Sequence, residues 1–270
     1  MIRGLLDSPG GYSALAVAVT RGELRDAALA AVRTLVEHEI DAGRPWPAEA
    51  ARWLSRANAD WQTSAALANH LSWYARSRRN SALAHITGTD HLAQPGTDRI
   101  HAQALRHIHL VGLRFDFRCR SIQQLLGQTP ERERTRWDPY TRALAAFALL
   151  GSSAPDALEA MDRSLAEAGD NPQVCHALLH GLWLGDALPD QAERLLELAV
   201  WPTFEDGDPI MLFRTATAWR SLGRRAEALA AIDSALEALG PNQPEVHADL
   251  VRERALITSL AREPQHDCEH

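Results

Sequence analysis

An all-α fold, built as a solenoid of antiparallel helix hairpins, is what this sequence predicts. Three observations carry the expectation. Apolar residues recur at three- and four-residue steps, β-branched alternating runs are absent, and chain breakers fall between the periodic segments. Three stretches, "LLGSSAPDALEAMDRSL", "WLGDALPDQAERLLELA" and "SLGRRAEALAAIDSAL", repeat one plan. Their spacing is about 35 residues, the length of a unit made of two helices. One pair of helices cannot bury its apolar face alone, so such units stack.

The periodicity predicts helices over about Tyr12–Arg21, Glu23–Asp41, Pro47–Arg56, Asp60–Ser77, Asn80–Ile86 and Asp98–Leu126. It predicts further ones over about Pro139–Leu150, Pro155–Ala168, Pro172–Leu184, Asp190–Val200, Pro209–Leu222, Arg225–Leu239 and Glu245–Ala261. Pro139, Pro172 and Pro209 open three of them, where no N–H is needed. Asp138, Asn171 and Asp208 stand before those prolines as natural caps.

Each repeated stretch has Leu-Gly, a short polar turn, a small residue and, four positions later, a large apolar one. The small residues are Ala157, Ala192 and Ala228; the large ones are Met161, Leu196 and Ile232. Small residues let paired helices approach, and large ones fill the groove to the next pair. Gly151, Gly185 and Gly223 are expected in equivalent turns, and Gly240-Pro241 closes the last hairpin. These features resemble the tetratricopeptide repeat family over about residues 138–263. The turn Gly, the small residue opening the second helix, its large partner and Pro241 carry the match. The first helices depart from it: Leu212, Thr215 and Ala216 stand where the family has a Trp and a Leu-Gly pair, and the two earlier turns are longer. The resemblance implies a right-handed superhelix and a concave face lined by the first helix of each pair. On that face it puts Thr141, Ala145, Cys175, Leu179, Trp183, Phe213, Thr217 and Arg220. The last helix, with Arg252, Glu253 and Arg254 open to water, is expected to cap the array.

The domain reading follows. Residues 138–263 form the repeat region, 264–270 a flexible tail, and 1–137 a helical region of degenerate repeats or a bundle. "GELRDAALAAVRTLVEHE" echoes the last hairpin through Ala28, Leu29 and Val32, so a degenerate hairpin is expected from Tyr12 to Asp41. A single continuous array is the preferred arrangement.

Composition narrows the function. The formal charge is −7, which argues against a nucleic-acid backbone as partner. All 28 basic residues are Arg, and together with abundant Ala this points to the coding bias of a GC-rich bacterial genome. Three scattered cysteines, Cys119, Cys175 and Cys268, make neither a disulfide framework nor a CxxC pair. No run of apolar residues reaches membrane-spanning length. A cytoplasmic protein is expected.

Candidate chemistry is sparse. His85, Asp90, His91, His101, His107 and His109 are dense enough to suggest a metal or acid–base site, but their spacing fits no compact ligand motif. They read as surface and turn residues. His176 and His180 sit one turn apart without a third ligand, and they read as residues on a helix surface. "RNSALAH" resembles the signature of HEPN-type ribonucleases, which implies that Arg79 and His85 would flank a scissile phosphate. A helix start capped by Asn80 or Ser81 explains the same residues. Trp53, Trp61 and Trp73 read as inter-helix packing. The preferred function is a non-catalytic scaffold that needs no cofactor. Its partner is expected to be a protein or peptide with an apolar or amphipathic segment, held by Cys175, Leu179, Trp183, Phe213, Thr217 and Arg220. A helical enzyme using the His-rich half is the alternative.

Overall fold

The computed structural model describes residues 25–43, 54, 60–77, 99–168, 171–187, 190–193, 196, 209–239 and 244–260. Among them there is no strand. The helices are α1 (Arg25–Asp41), α2 (Trp61–Ser77), α3 (Arg99–Phe115), α4 (Cys119–Gln128), α5 (Glu131–Arg134) and α6 (Pro139–Leu150). They continue with α7 (Ala157–Ala168), α8 (Pro172–Leu184), α9 (Pro209–Ser221), α10 (Arg225–Ala238) and α11 (Pro244–Ser259). Residues 190–193 and 196 are also helical. No helix among the described residues is long and apolar enough to cross a membrane.

Two of the caps expected from the sequence form, at Asp138 and Asn171, while Asp208 lies outside the described residues. Asp138 is kept extended by the proline ring that follows it, and its side chain accepts the Thr141 N–H at 2.9 Å. Asn171 accepts from Gln173 and Val174 in the same way at the start of α8. With Pro139 and Pro172 at the first helical positions, α6 and α8 begin and end where the periodicity predicts.

The paired residues also fall where expected. Ala157, Ala192 and Ala228 are buried, and so are Met161, Leu196 and Ile232. The hairpin ends share one backbone motif. At the end of α6 the Ala154 N–H reaches the Leu149 carbonyl and the Ser153 N–H reaches Leu150. The same two bonds join Ala187 to Leu182 and Asp186 to Trp183 after α8, and Arg224 to Trp219 and Gly223 to Arg220 after α9. This is the Schellman closure, which needs one left-handed residue. That residue is Ser153, Asp186 or Gly223, with φ of 54°, 59° and 74°.

Gly223 alone therefore does the conformational work expected of all three glycines. Gly151 and Gly185 have φ of −66° and −86° and serve close packing instead. A Cβ on Gly185 would stand 2.1 Å from the Leu150 carbonyl oxygen.

The expected single helix Asp98–Leu126 is broken in two. Phe117 is left-handed at φ 58°, with Arg118 N–H to Leu113 O and Phe117 N–H to Arg114 O completing the same motif. The turns at Phe117, Ser153, Asp186 and Gly223 thus recur roughly every 35 residues, beginning one unit earlier than the sequence shows.

α2 packs on α3, α3 on α6, α6 on α8 and α8 on α9, while α6–α7, α9–α10 and α10–α11 pair locally. One apolar core runs from Ala31 through Leu196 to Ala218, with no break at residue 138. A second, smaller one joins α9, α10 and α11 through Leu212, Ile232, Leu250 and Ile257. α8 lies deepest: every residue from Gln173 to Leu182 is buried, as a helix apolar on all sides must be. The capping helix differs from expectation at Glu253, which is buried against Arg220 rather than open to water.

Candidate functional site

Burial inside the α2–α3–α6–α8–α9 stack falls on an unusual number of polar side chains. Asp138 anchors one end. Its Oδ1 also accepts from His107 Nε2 at 2.8 Å, and its Oδ2 accepts the Thr141 hydroxyl at 2.7 Å. Ser64 Oγ lies 3.2 Å from the other His107 nitrogen. Burial alone would raise the Asp138 carboxyl, but the His107 charge and bond and the two Thr141 donors outweigh it. The carboxyl is held well below the usual carboxylate range.

Ser64, His107 and Asp138 have the connectivity of a nucleophilic triad, yet they do not form one. Ser64 is 2% exposed and His107 is 0%, so no substrate carbonyl can reach the hydroxyl. The set ties α2, α3 and the start of α6 together.

From there a polar seam continues. The His107 ring meets Tyr140 edge-on at 5.1 Å. Asn69 Nδ2 donates to the Tyr140 hydroxyl at 2.5 Å, and Arg114 Nη2 donates to Asn69 Oδ1 at 2.6 Å. Arg114 Nη2 also lies 3.5 Å from His176 Nδ1, at the limit of a hydrogen bond.

His176 and His180 stack at 6.4 Å with rings 16° apart. Both are buried, not on the helix surface as the sequence suggested, because α8 is enclosed on all sides. Burial first, then Arg114 and Arg214, push the His176 imidazole well below its ordinary range, so it is neutral.

Arg214 closes the seam from α9. Its guanidinium carbon sits 3.5 Å from the Trp183 ring centre and 4.7 Å from that of Phe213. Burial and Arg114 push it down to about 9, with Glu253 and Asp249 opposing, and it stays charged at neutral pH. Arg114 and Arg214 are 0% and 4% exposed. Each keeps Nε and Nη1 buried without a hydrogen-bond partner, as does His176 at Nε2.

Phe117 stands at the edge of this cluster. It is 50% exposed, 5.4 Å from the His180 ring and 6.3 Å from Trp183. A bulky residue held left-handed is a local strain, a kind of strain that gathers at functional sites.

The expected groove residues divide. Cys175 and Leu179 are 0% exposed and Thr217 is 3%, so they pack and present no surface; α8 is covered by α2, α6 and α9, and α9 by α8 and α10. Trp183 and Phe213 are half-buried beside Arg214. Arg220 is half-buried and taken up by Glu253 at 2.5 Å. Thr141 is buried on Asp138, and Ala145 lines an outer cleft of about 780 Å³ between α4, α6 and α7. That cleft carries Glu131, Asp156 and Glu167 against Arg134, Arg142 and Arg163, with Arg142 paired to Glu167, so it has no field of one sign.

Arg79, His85, Asp90 and His91 lie outside the described residues, and so does the 264–270 tail. His107 is a buried structural residue rather than a surface one. No group of three or more His, Cys, Asp or Glu side chains among the described residues could hold a metal ion. Arg114, Arg214, Asn69 and Phe117 were not singled out by the sequence. The only signal was an arginine flanked by aromatic or long apolar residues, as in Leu113-Arg114-Phe115 and Phe213-Arg214.

Neither a family model, nor a curated protein, nor a solved structure matches this chain.

Proposed function

We propose that the chain is a non-catalytic helical-repeat scaffold that binds a protein partner through an apolar or amphipathic segment. Its arrangement is a right-handed, tetratricopeptide-like solenoid, and the segment docks at Trp183, which has Phe117 as a neighbour and Arg214, itself beside Phe213, over its ring. Recurring Schellman turns and the succession of α2, α3, α6, α8 and α9 contacts support the solenoid. The docking position replaces the broader groove of the sequence reading, since Cys175, Leu179 and Thr217 are packed away.

The observation that carries the reading is Phe117: a strained, half-exposed aromatic 6.3 Å from the half-buried Trp183. Aromatic anchors of this kind dominate binding energy when a partner seals them from water. A displayed peptide library panned against the intact protein tests it. Peptides with apolar anchors are expected, and Phe117→Ala with Trp183→Ala should weaken them at least tenfold. Peptides that bind both proteins equally would refute the docking position.

A further inference from the structure

We propose that the pocket between the α3–α4 turn and the ends of α6 and α8 receives an acidic side chain of the docked segment, held by Arg118 and Arg120 while a neighbouring apolar residue packs on Phe117. This rests on the scaffold reading for the existence of a docked segment and specifies that segment's chemistry.

The pocket has a volume of about 570 Å³ and is lined by Phe117 to Ser121, by Gly151 and Ser152, and by Leu184. That size falls within the range of ligand clefts. The walls stand at the ends of α3, α6 and α8, helices that pack in that order. Phe117 belongs to the pocket and also lies 6.3 Å from Trp183, so a segment laid across its ring reaches both.

Charge decides what fits. The only charged residues on the walls are Arg118 and Arg120. Both are exposed, and neither is engaged by a carboxylate among the described residues. Arg106, Arg224 and Arg254, by contrast, have Glu133, Glu227 and Asp233. Asp116 shares the turn but is not on the walls. Burial pushes the Cys119 thiol up, so it is neutral and cancels nothing. The walls are thus positive on a chain whose formal charge is −7. The larger cleft between α4, α6 and α7 mixes acids with arginines and makes no such choice.

An arginine on open surface is satisfied by water and pairs weakly. Here the two cations border a recess that includes the buried Cys119 and the side chains of Phe117 and Leu184, where less water competes for a carboxylate. A guanidinium can also take both oxygens of one carboxylate. An acidic residue next to an apolar one therefore satisfies the arginines and the apolar wall together.

The test uses the intact chain and peptides selected from the displayed library, synthesised with acetylated and amidated ends so that side chains supply the only carboxylates. Asp or Glu should be enriched beside the apolar anchor. Changing that residue to Asn or Gln should weaken binding about tenfold by fluorescence polarisation. Arg118→Gln together with Arg120→Gln should weaken the acidic peptide by the same factor and leave the amide peptide unchanged. The double variant should melt with the wild type, because both side chains are exposed. Each single change should remove part of the preference, and decides the matter if the double variant melts low. Raising sodium chloride from about 50 mM to about 500 mM should erase most of the difference between the peptides.

Equal binding of acidic and amide peptides to the wild type overturns the inference and leaves the scaffold reading standing. So does a preference for the acidic peptide that survives the arginine changes or high salt, since the carboxylate then sits elsewhere. A library that yields no peptide for the wild type overturns both.

Discussion

Replacing Asp138 should show how much of the fold depends on one buried carboxylate. Asp138→Ala removes the cap on Thr141 N–H, a loss of about 1 kcal/mol. It also removes the charged acceptor of His107 Nε2, worth about 1.5–3 kcal/mol, and strands that nitrogen in a fully buried position. The two losses together come to about 2.5–4 kcal/mol. At about 2–4 °C per kcal/mol for a chain of this size, the melt should fall by about 10 °C. Asp138→Asn keeps one acceptor oxygen and loses the charge and the second acceptor, so it should cost about 2 kcal/mol.

The pH dependence has a defined sign. The folded carboxyl lies below its unfolded value, so its contribution is present above about pH 4 and is lost as pH falls through the range below that. Thermal and urea melts followed by circular dichroism, run for wild type and Asp138→Asn from about pH 3 to 7, measure this. The gap between the two should be level at the upper end and narrow below about pH 4. An Asn variant that melts with the wild type throughout would show that Asp138 anchors nothing.

Two further perturbations read other parts of the fold. Gly185→Ala puts a methyl 2.1 Å from the Leu150 carbonyl oxygen, and backbone cannot yield as a side-chain tip does. It should cost about 3 kcal/mol in urea denaturation, near the top of the range for overpacking; a cost under about 1 kcal/mol would mean that α6 and α8 do not approach as closely as this. The Arg220–Glu253 pair should respond unequally. Arg220→Met leaves the buried Glu253 carboxylate without its partner and should cost about 3 kcal/mol, while Glu253→Gln leaves an Arg220 that can turn to water and should cost about half as much. The reverse order in melts of the two variants would contradict the burial of Glu253.

Much of the helical framework was legible because it is written in local chemistry. Asp138-Pro139 and Asn171-Pro172 each join a side-chain acceptor to a ring with no N–H, so the starts of α6 and α8 could hardly be placed elsewhere. The small and large pairs, such as Ala157 with Met161, report helix contact directly. The break after α3 was hidden for the opposite reason. "LRFDFRCR" has no Gly or Pro, and the left-handed residue there is Phe117, whose conformation is imposed by the two turn hydrogen bonds and not by its own preference. The Leu-Gly spelling of the other turns was a partial guide. Glycine occupies the left-handed position only at Gly223, and at Gly151 and Gly185 it marks a close approach of neighbouring helices.

The buried cluster was less legible because solvent exposure is not a property of a residue's neighbours in sequence. Arg114 reads as an arginine in mid-helix and Arg220 as one near a helix C-terminus, yet the first is enclosed and donates to Asn69 while the other pairs with Glu253 across the α9–α11 packing. What separates them is which helix covers them, and that is settled by contacts between units. The same holds for His176 and His180. One turn apart, they suit a metal site or a surface equally well, until α2, α6 and α9 close around α8 and leave them among aromatic rings and two cations. A helix as apolar as α8 has to be covered on every side, and any polar residue on it is carried inward. "VCHALLHGLWL" was therefore the place where the sequence already required buried histidines, and the arginines that face them from α3 and α9 follow from the packing order of the hairpins rather than from any motif.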